Sequence, residues 1–245
     1  MKINLLQIKV EELPELNIEK VHNLTKDYKN EIFILPELFT TGFNYDHVKK
    51  HVNNHPEILN NLPEENVYIG SVTRSVNGKI YNSFFIKDGS KIDFIYNKIH
   101  LFPLMDEDLH FSGGTDITAF ELRDYKCGCA ICFDLRFPEL FRKYFLQNVD
   151  IIIIPMQWPD SRVSQMIPLA TARAIENQCY VAVCNAAGKI WNTDFGGHSM
   201  IISPLGEILA AGKSEVDKIF SANIEKNVIN NFRAAMPISK CLKML

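Results

Sequence analysis

The sequence predicts a single α/β domain built from layers of sheet and helix, and three observations predict it. Short apolar runs of strand length recur from one end to the other, at 3–8, 32–35, 67–72, 83–86, 92–96, 127–132, 151–154, 180–184, 199–203 and 218–222. Segments of helical period separate several of them, which is the alternation a layered α/β chain shows. No Pro/Gly/Ser-rich linker, low-complexity tract or internal repeat divides the 245 residues. One domain over 1–245 is therefore expected, with a core over about 1–224 and a C-terminal extension, 225–245, that packs at an interface.

Each element has a local reason. Residues 16–28 are helical in pattern. Asn77-Gly78 and Asp88-Gly89 are hairpin-turn pairs between strand-like segments, so an antiparallel meander is expected over 67–96. Residues 138–147 also read as a helix, and Pro138 suits its first turn because the missing N–H has no partner there. Positions 151–154 and 180–183 are apolar without alternation, as in strands covered on both faces. The helix signal is clearest over 161–178, where Val163, Met166, Ile167, Ala170, Ala174 and Ile175 recur at i, i+3, i+4 and i+7 spacing. Ser161 is placed to cap its first turn.

Bulk properties narrow the function. Apolar residues make up 47% of the chain, enough to fill a substantial core. The 26 Lys and Arg against 29 Asp and Glu give a formal charge of −3, which lacks the basic footprint of a nucleic-acid binder. The apolar runs fall far short of the roughly 20 residues a membrane-spanning helix needs. The N-terminal MKINLLQIKVEE has an apolar run broken by Gln7 and Lys9 and no small-residue cleavage site, so no secretory signal is expected. Six cysteines in that setting read as reduced thiols of a cytoplasmic protein, not as a disulfide framework.

Three stretches could carry chemistry. In LPELFTTGF, Pro36 follows a strand and leaves Glu37 at its C-terminal edge, where open α/β folds place ligands. Desolvation among Leu35, Leu38, Phe39 and Phe43 would raise its pKa toward that of a general base; a surface loop glutamate is the alternative. In IYNKIHLFPLMDEDLHFSGG, Lys98 ends a strand and is either a fixed charge facing an oxyanion or an ordinary solvated lysine. His100 and His110 lack metal-ligand spacing and read as structural. In CGCAICFDLRFPE, Cys127 and Cys129 share one strand face and read as packing residues. Cys132 differs, because the strand is expected to run to it and a Pro-started helix begins six residues later. A thiol at such an elbow is held exposed beside backbone N–H groups. It still needs a base or a positive charge nearby.

These stretches, in this order, resemble the nitrilase superfamily of carbon–nitrogen hydrolases. PELFTTGF matches its glutamate block, YNKIHLF its lysine block and CFDLRFPEL its nucleophile block. RAIENQCYVAVCNAAG (173–188) and GHSMIISPLGEIL (197–209) match later segments. The resemblance implies a four-layer α-β-β-α sandwich that forms a homodimer or higher homo-oligomer by packing helices across a two-fold. It assigns Glu37 as base, Lys98 as stabiliser of the tetrahedral intermediate, Cys132 as nucleophile and Glu107 as a supporting second glutamate. Phe133 stands where tyrosine or tryptophan is common in the family, with its backbone N–H as oxyanion donor.

MQWPDSR and the Asp106-Glu107-Asp108 loop resemble the omega-amidase branch, which acts on short dicarboxylic acid monoamides of the 2-oxoglutaramate or succinamate type. Gln157, Trp158 and Arg162 are then expected at the substrate. Arg162 is either the partner of a substrate carboxylate or an exposed helix-end arginine; Trp158 is a pocket wall or core filler. The implied reaction is acyl transfer through a thioester, with no metal or organic cofactor and no nucleic-acid or membrane partner. An N-carbamoyl amine or nitrile substrate is the nearer alternative, and a non-catalytic small-amide-binding protein the more distant one.

Overall fold

In the computed structural model, which describes residues 1–52 and 56–243, the apolar runs assemble into two six-stranded sheets. The first half of the chain contributes β1 (Lys2–Gln7), α1 (Pro14–Thr25), β2 (Ile32–Ile34), α2 (Tyr45–His51), β3 (Val67–Val76), β4 (Lys79–Asp88), β5 (Lys91–Asn97) and the single turn α3 (Glu107–His110). The second half contributes β6 (Phe120–Leu122), β7 (Tyr125–Cys129), α4 (Pro138–Leu146), β8 (Ile151–Met156), α5 (Val163–Asn177), β9 (Tyr180–Asn185), β10 (Ala187–Ile190), β11 (Thr193–Gly196), β12 (Met200–Ile202), β13 (Ile208–Ala211), β14 (Lys218–Asn223) and α6 (Lys226–Ala235).

One sheet has the order β14-β1-β2-β3-β4-β5 and the other β13-β12-β9-β8-β7-β6. Each places a parallel trio, β1-β2-β3 or β7-β8-β9, beside antiparallel strands. Ile3, Leu5, Ile34 and Ile69 of the first sheet share one core with Cys127, Cys129, Ile151 and Val183 of the second. The outer face of the first sheet, through Leu6, Phe33 and Tyr68, is covered by Ile18 and Val21 of α1. Leu140, Phe141 and Tyr144 of α4 and Met166, Ala170 and Ala174 of α5 cover the second. The result is the four-layer α-β-β-α sandwich. Ile151 to Ile154 are fully buried, and at about 1.5–3 kcal/mol per buried aliphatic side chain such strands dominate the favourable side of folding.

Local details refine the sequence reading. The meander forms as expected, with Asn77-Gly78 and Asp88-Gly89 at its two turns. Helix α1 starts at Pro14 and ends at Thr25, two residues earlier at its start than the pattern at 16–28 suggested, because a proline at the first position needs no hydrogen-bond acceptor. Helix α5 starts at Val163, and Ser161 does not cap it. Ser161 belongs to a preceding 3-10 turn, Asp160–Arg162, closed by the Arg162 N–H donating to the Pro159 carbonyl. Strands β6, β10 and β11 are short and lack a clear apolar run; pairing with neighbours makes them strands. Strand β7 ends at Cys129, not at Cys132. Gly128 between its two cysteines lies under the Tyr144 ring, where a Cβ would stand 2.9 Å from ring carbons. That glycine is what allows α4 to sit so close to the sheet.

Residues 225–243 pack on their own chain: Ile229 is buried, Arg233 donates to the Gln178 and Val149 carbonyls, and Gln178 donates to the Met236 carbonyl.

Candidate active site

The chain leaves four strands at one end of the sandwich, and each exit delivers a polar group to the same place. Beyond β2, the Leu35 N–H still donates to the Ile69 carbonyl and the Glu37 N–H to the Met156 carbonyl, which ties the loop to both sheets. Leu38, next in the chain, has φ 41°, in the left-handed region, and its N–H is held by the Ser71 hydroxyl. Glu37 is thereby turned inward and is fully buried. Lys98 follows β5, its N–H donating to the Asn82 carbonyl, and is 1% exposed. The surface-glutamate and solvated-lysine alternatives are both excluded by burial. Glu107, on α3, is likewise fully buried.

The three form one cluster. Lys98 Nζ donates to Glu37 Oε1 at 2.7 Å and to Glu107 Oε2 at 2.6 Å. An ammonium has three N–H groups, so one is left for a further acceptor. Asn82 Nδ2 bridges the two carboxylates, at 2.8 Å from Glu37 Oε1 and 3.2 Å from Glu107 Oε1. The Phe102 N–H donates to Glu107 Oε2 and the Gln157 N–H to Glu37 Oε2. Glu37 Oε2 therefore keeps acceptor capacity on one side. Asn82 was not foreseen; as a single buried asparagine in a strand it has no motif, only its polarity in an otherwise apolar run to mark it.

Cys132 opens a 3-10 turn, Cys132–Arg136, with φ 44°. A non-glycine residue there is strained by roughly 1–2 kcal/mol, which the surrounding bonds must offset. The thiol is not held exposed: the residue is 7% accessible and forms part of the lining of a small cavity of about 20 Å³. Phe133, Gln157, Trp158 and Arg162 line the same cavity, with Phe102 and Arg136. All four expected substrate-side residues thus come together, and Arg162 faces the pocket. Its guanidinium lies 5.5 Å from the Phe102 ring centre. Arg136 was also not foreseen, although it stands inside the nucleophile motif; it lies 4.8 Å over Trp158 and donates to Gln165. Trp158 is both wall and filler, 3% exposed with its indole N–H donating to the Arg162 carbonyl. The Phe133 ring packs against Phe102 and Phe137. Its N–H lies in the first turn of the 3-10 segment, where backbone donors lack an intrahelical acceptor.

The histidines are occupied elsewhere: His110 stacks on Tyr45 and His100 bonds Asp134. Cys127 and Cys129 are fully buried core residues. Among the described residues no group of three His, Cys, Asp or Glu side chains could hold a metal ion.

Electrostatics follow from burial. Burial raises the Glu37 carboxyl above the usual carboxylate range; Lys98 opposes the shift and Glu107 adds to it. For Lys98, burial favours the neutral amine, but Glu107 and Glu37 outweigh it and hold the ammonium proton more firmly than in a free lysine. Burial, then the Glu37 charge, push the Cys132 thiol well above its usual range against the pull of Lys98. The raised thiol stays protonated beside Glu37, and ionising it would require a base at hand. Glu37 is that neighbour.

A model of carbon–nitrogen hydrolases matches residues 15–234. The chain belongs to the carbon–nitrogen hydrolase family. The hydrolase is 37% identical over 235 residues to a 2-oxoglutaramate amidase of Bacillus subtilis, covering 92% of this chain and 90% of the relative. It is 31% identical over 214 residues to the omega-amidase YafV of Escherichia coli, covering 84% and 82%. Its fold matches that of XC1258, a carbon–nitrogen hydrolase superfamily protein of Xanthomonas campestris, with a TM-score of 0.93 at 24% identity over 100% and 98% of the two chains. The enzyme therefore acts on a non-peptide C–N bond.

Proposed function

We propose that this hydrolase cleaves the terminal amide of a short dicarboxylic acid monoamide, of the 2-oxoglutaramate or succinamate type, to the acid and ammonia. One observation carries the reading: the cavity bounded by Cys132 is also lined by the guanidinium-bearing Arg162. The thiol end suits the amide and the cationic end suits a carboxylate, which guanidinium binds through paired hydrogen bonds. The names of the two relatives above agree with it.

In the proposed reaction Glu37 takes the Cys132 proton as the sulfur attacks the amide carbon. The third N–H of Lys98 and the Phe133 N–H receive the oxyanion, and Glu107 holds Lys98 in place. Collapse of the tetrahedral intermediate breaks the C–N bond, and the leaving nitrogen takes the proton from Glu37 and departs as ammonia. Water, deprotonated by Glu37, then attacks the thioester; the acid leaves and the thiol regains its proton.

Ammonia release over a panel of 2-oxoglutaramate, succinamate, glutamine, N-carbamoyl amines and nitriles tests the substrate class; carbon dioxide released with ammonia would instead point to a carbamoyl substrate. Arg162→Leu is expected to raise KM for the charged monoamide by about 10- to 100-fold, the worth of a charge-assisted hydrogen bond, and to leave a neutral amide of equal length nearly unaffected. Equal losses on both substrates would remove Arg162 from the carboxylate site.

The pH dependence has a definite sign. Glu37 works as the ionised base, so kcat/KM should rise with pH along an acid limb displaced above the ordinary carboxylate value of 4.5. A limb at or below that value would contradict the assignment. For stability the same shift acts in reverse: the folded state holds the Glu37 proton more tightly, so its contribution is full at low pH and is lost as pH rises through the raised value.

The hydrolase is further proposed to be a homodimer, joined through α4 and α5 with the C-terminal segment, whose last two residues lie outside the described residues, at the same interface. Leu146, Ile175, Leu205 and Ile208 are each about half exposed on that side, and Gly206 abuts Ile175, so the turn after β12 extends the apolar area. Light scattering should give twice the 28.0 kDa of one chain; a monomer at micromolar concentration would refute it. Six free cysteines, five of them buried, support a cytoplasmic setting, which fractionation of cells would check. No helix among the described residues is long and apolar enough to cross a membrane.

A further inference from the structure

The elbow that carries Cys132 and the strand exit that carries Lys98 belong to different sheets, yet one side chain ties them together. Asp134 is fully buried two residues beyond the thiol. Its Oδ2 accepts from the Ile131 N–H at 2.9 Å and from the Tyr96 hydroxyl at 2.7 Å. Its Oδ1 accepts from the His100 N–H at 2.9 Å and meets His100 Nδ1 at 2.7 Å. An ionised carboxylate has no proton to give, so Nδ1 carries the hydrogen. All four acceptor positions of the carboxylate are then used.

The donors bracket both reactive groups. Ile131 immediately precedes Cys132, and Tyr96 and His100 lie two residues either side of Lys98. The Tyr96 oxygen also accepts from the Ile99 N–H at 3.3 Å. The His100 ring is itself clamped, stacked on Phe137 with ring centres 3.6 Å apart and planes 6° from parallel. Phe137 ends the turn that Cys132 begins, its N–H donating to the Asp134 carbonyl. The link therefore closes a loop from the lysine segment through Asp134 to the strained cysteine and back through Phe137.

We propose that Asp134 and His100 are positioning residues: they set the register of the Cys132 elbow against Lys98 and contact neither substrate nor the reacting atoms. The proposal rests on Cys132 as nucleophile and not on the substrate. The Asp134 hydrogen bonds hold Cys132 at an unfavourable φ of 44°, so releasing one anchor lets the sulfur drift from the ammonium and from Glu37. Alignment is what such a site loses first, because a shift of about 1 Å can cost a hundredfold in rate.

The test is alkylation of Cys132 by iodoacetamide, followed by mass spectrometry on the intact protein with the modified residue mapped, together with kcat and KM for amide hydrolysis. All rates are normalised to the folded fraction. His100→Ala is expected to slow alkylation and to lower kcat, each by about tenfold or more, with KM nearly unchanged. His100→Asn places an N–H close to where Nδ1 stands and should restore most of both rates. Tyr96→Phe, which loses one donor to the other oxygen, should fall between wild type and His100→Ala.

Wild-type alkylation and kcat in His100→Ala would overturn the proposal. A raised KM with kcat kept would make His100 a substrate contact and would also overturn it. So would His100→Asn performing no better than His100→Ala, because a purely structural role predicts no rescue of reactivity per folded molecule. Should His100→Ala fail to fold, His100→Asn and Tyr96→Phe decide: near-wild-type reactivity in His100→Asn with a slower Tyr96→Phe supports the link, and equal rates in the two overturn it. Alkylation does not depend on which amide the enzyme takes, so a failed substrate panel leaves this result intact.

Discussion

Cys132→Ala is expected to abolish ammonia release, by a factor on the order of 10⁴–10⁶, as when a serine hydrolase is deprived of its nucleophile. The fold should survive, since the change removes one sulfur at the edge of a cavity. Thermal unfolding should therefore shift by no more than the ~1 kcal/mol of an ordinary point change. Glu37, Lys98 and Glu107 do not depend on the thiol for their hydrogen bonds with one another, so the cluster stays assembled in the variant. Continued turnover, with the sequence change verified, would remove Cys132 from the reaction. A thioester trapped on residue 132 of the unaltered enzyme would provide the complementary evidence.

Lys98→Met should fail in both activity and stability. The ammonium is the only cation in contact with the Glu37 and Glu107 carboxylates among the described residues, and all three side chains are fully buried. Removing it leaves two buried like charges without a counter-charge, which costs about 3–5 kcal/mol when one member of a buried ion pair is lost. One carboxylate would respond by keeping a proton. Its folded-state pKa would then lie above the unfolded value, so the deficit against wild type should grow as pH rises from about 5 to 8. Urea unfolding at the two pH values reads this directly, and a variant as stable as wild type at pH 8 would mean that the cluster carries less charge than its geometry implies. Activity should be absent at both pH values, since the oxyanion donor has gone with the charge.

Much of the candidate site was legible because its proposed catalytic residues sit in distinctive local patterns. Pro36-Glu37, the Lys98 block and Cys132 before a Pro-started helix each follow a strand. A strand end is a local property, set by where the apolar run stops. The same reasoning misplaced the end of β7, because Ala130 and Ile131 are apolar and buried like the strand before them, although the paired ladder with β8 stops at Cys129. It missed Asn82 and its two carboxylate contacts, since an asparagine inside a strand has the same neighbours in sequence whether it faces water or a buried glutamate. Arg162 shows the opposite case: a helix-end arginine and a pocket arginine look identical in sequence, and only the position of Phe102 and Cys132 around it separates them.

By itself the sequence determined that this is one α/β domain, where most of its strands and helices α1, α4 and α5 lie, and which glutamate, lysine and cysteine follow strands in the order of a carbon–nitrogen hydrolase. Period, turn residues and motif spacing act over a few residues, and so can be read along the chain. The tertiary structure alone decided that Glu37 and Lys98, 61 residues apart, meet at 2.7 Å. It also decided that the thiol is buried and neutral, and that Asp134 joins the segments bearing Lys98 and Cys132. Those properties come from which faces of two sheets are packed together and from how water is excluded between them, and neither is encoded in the spacing of any one segment.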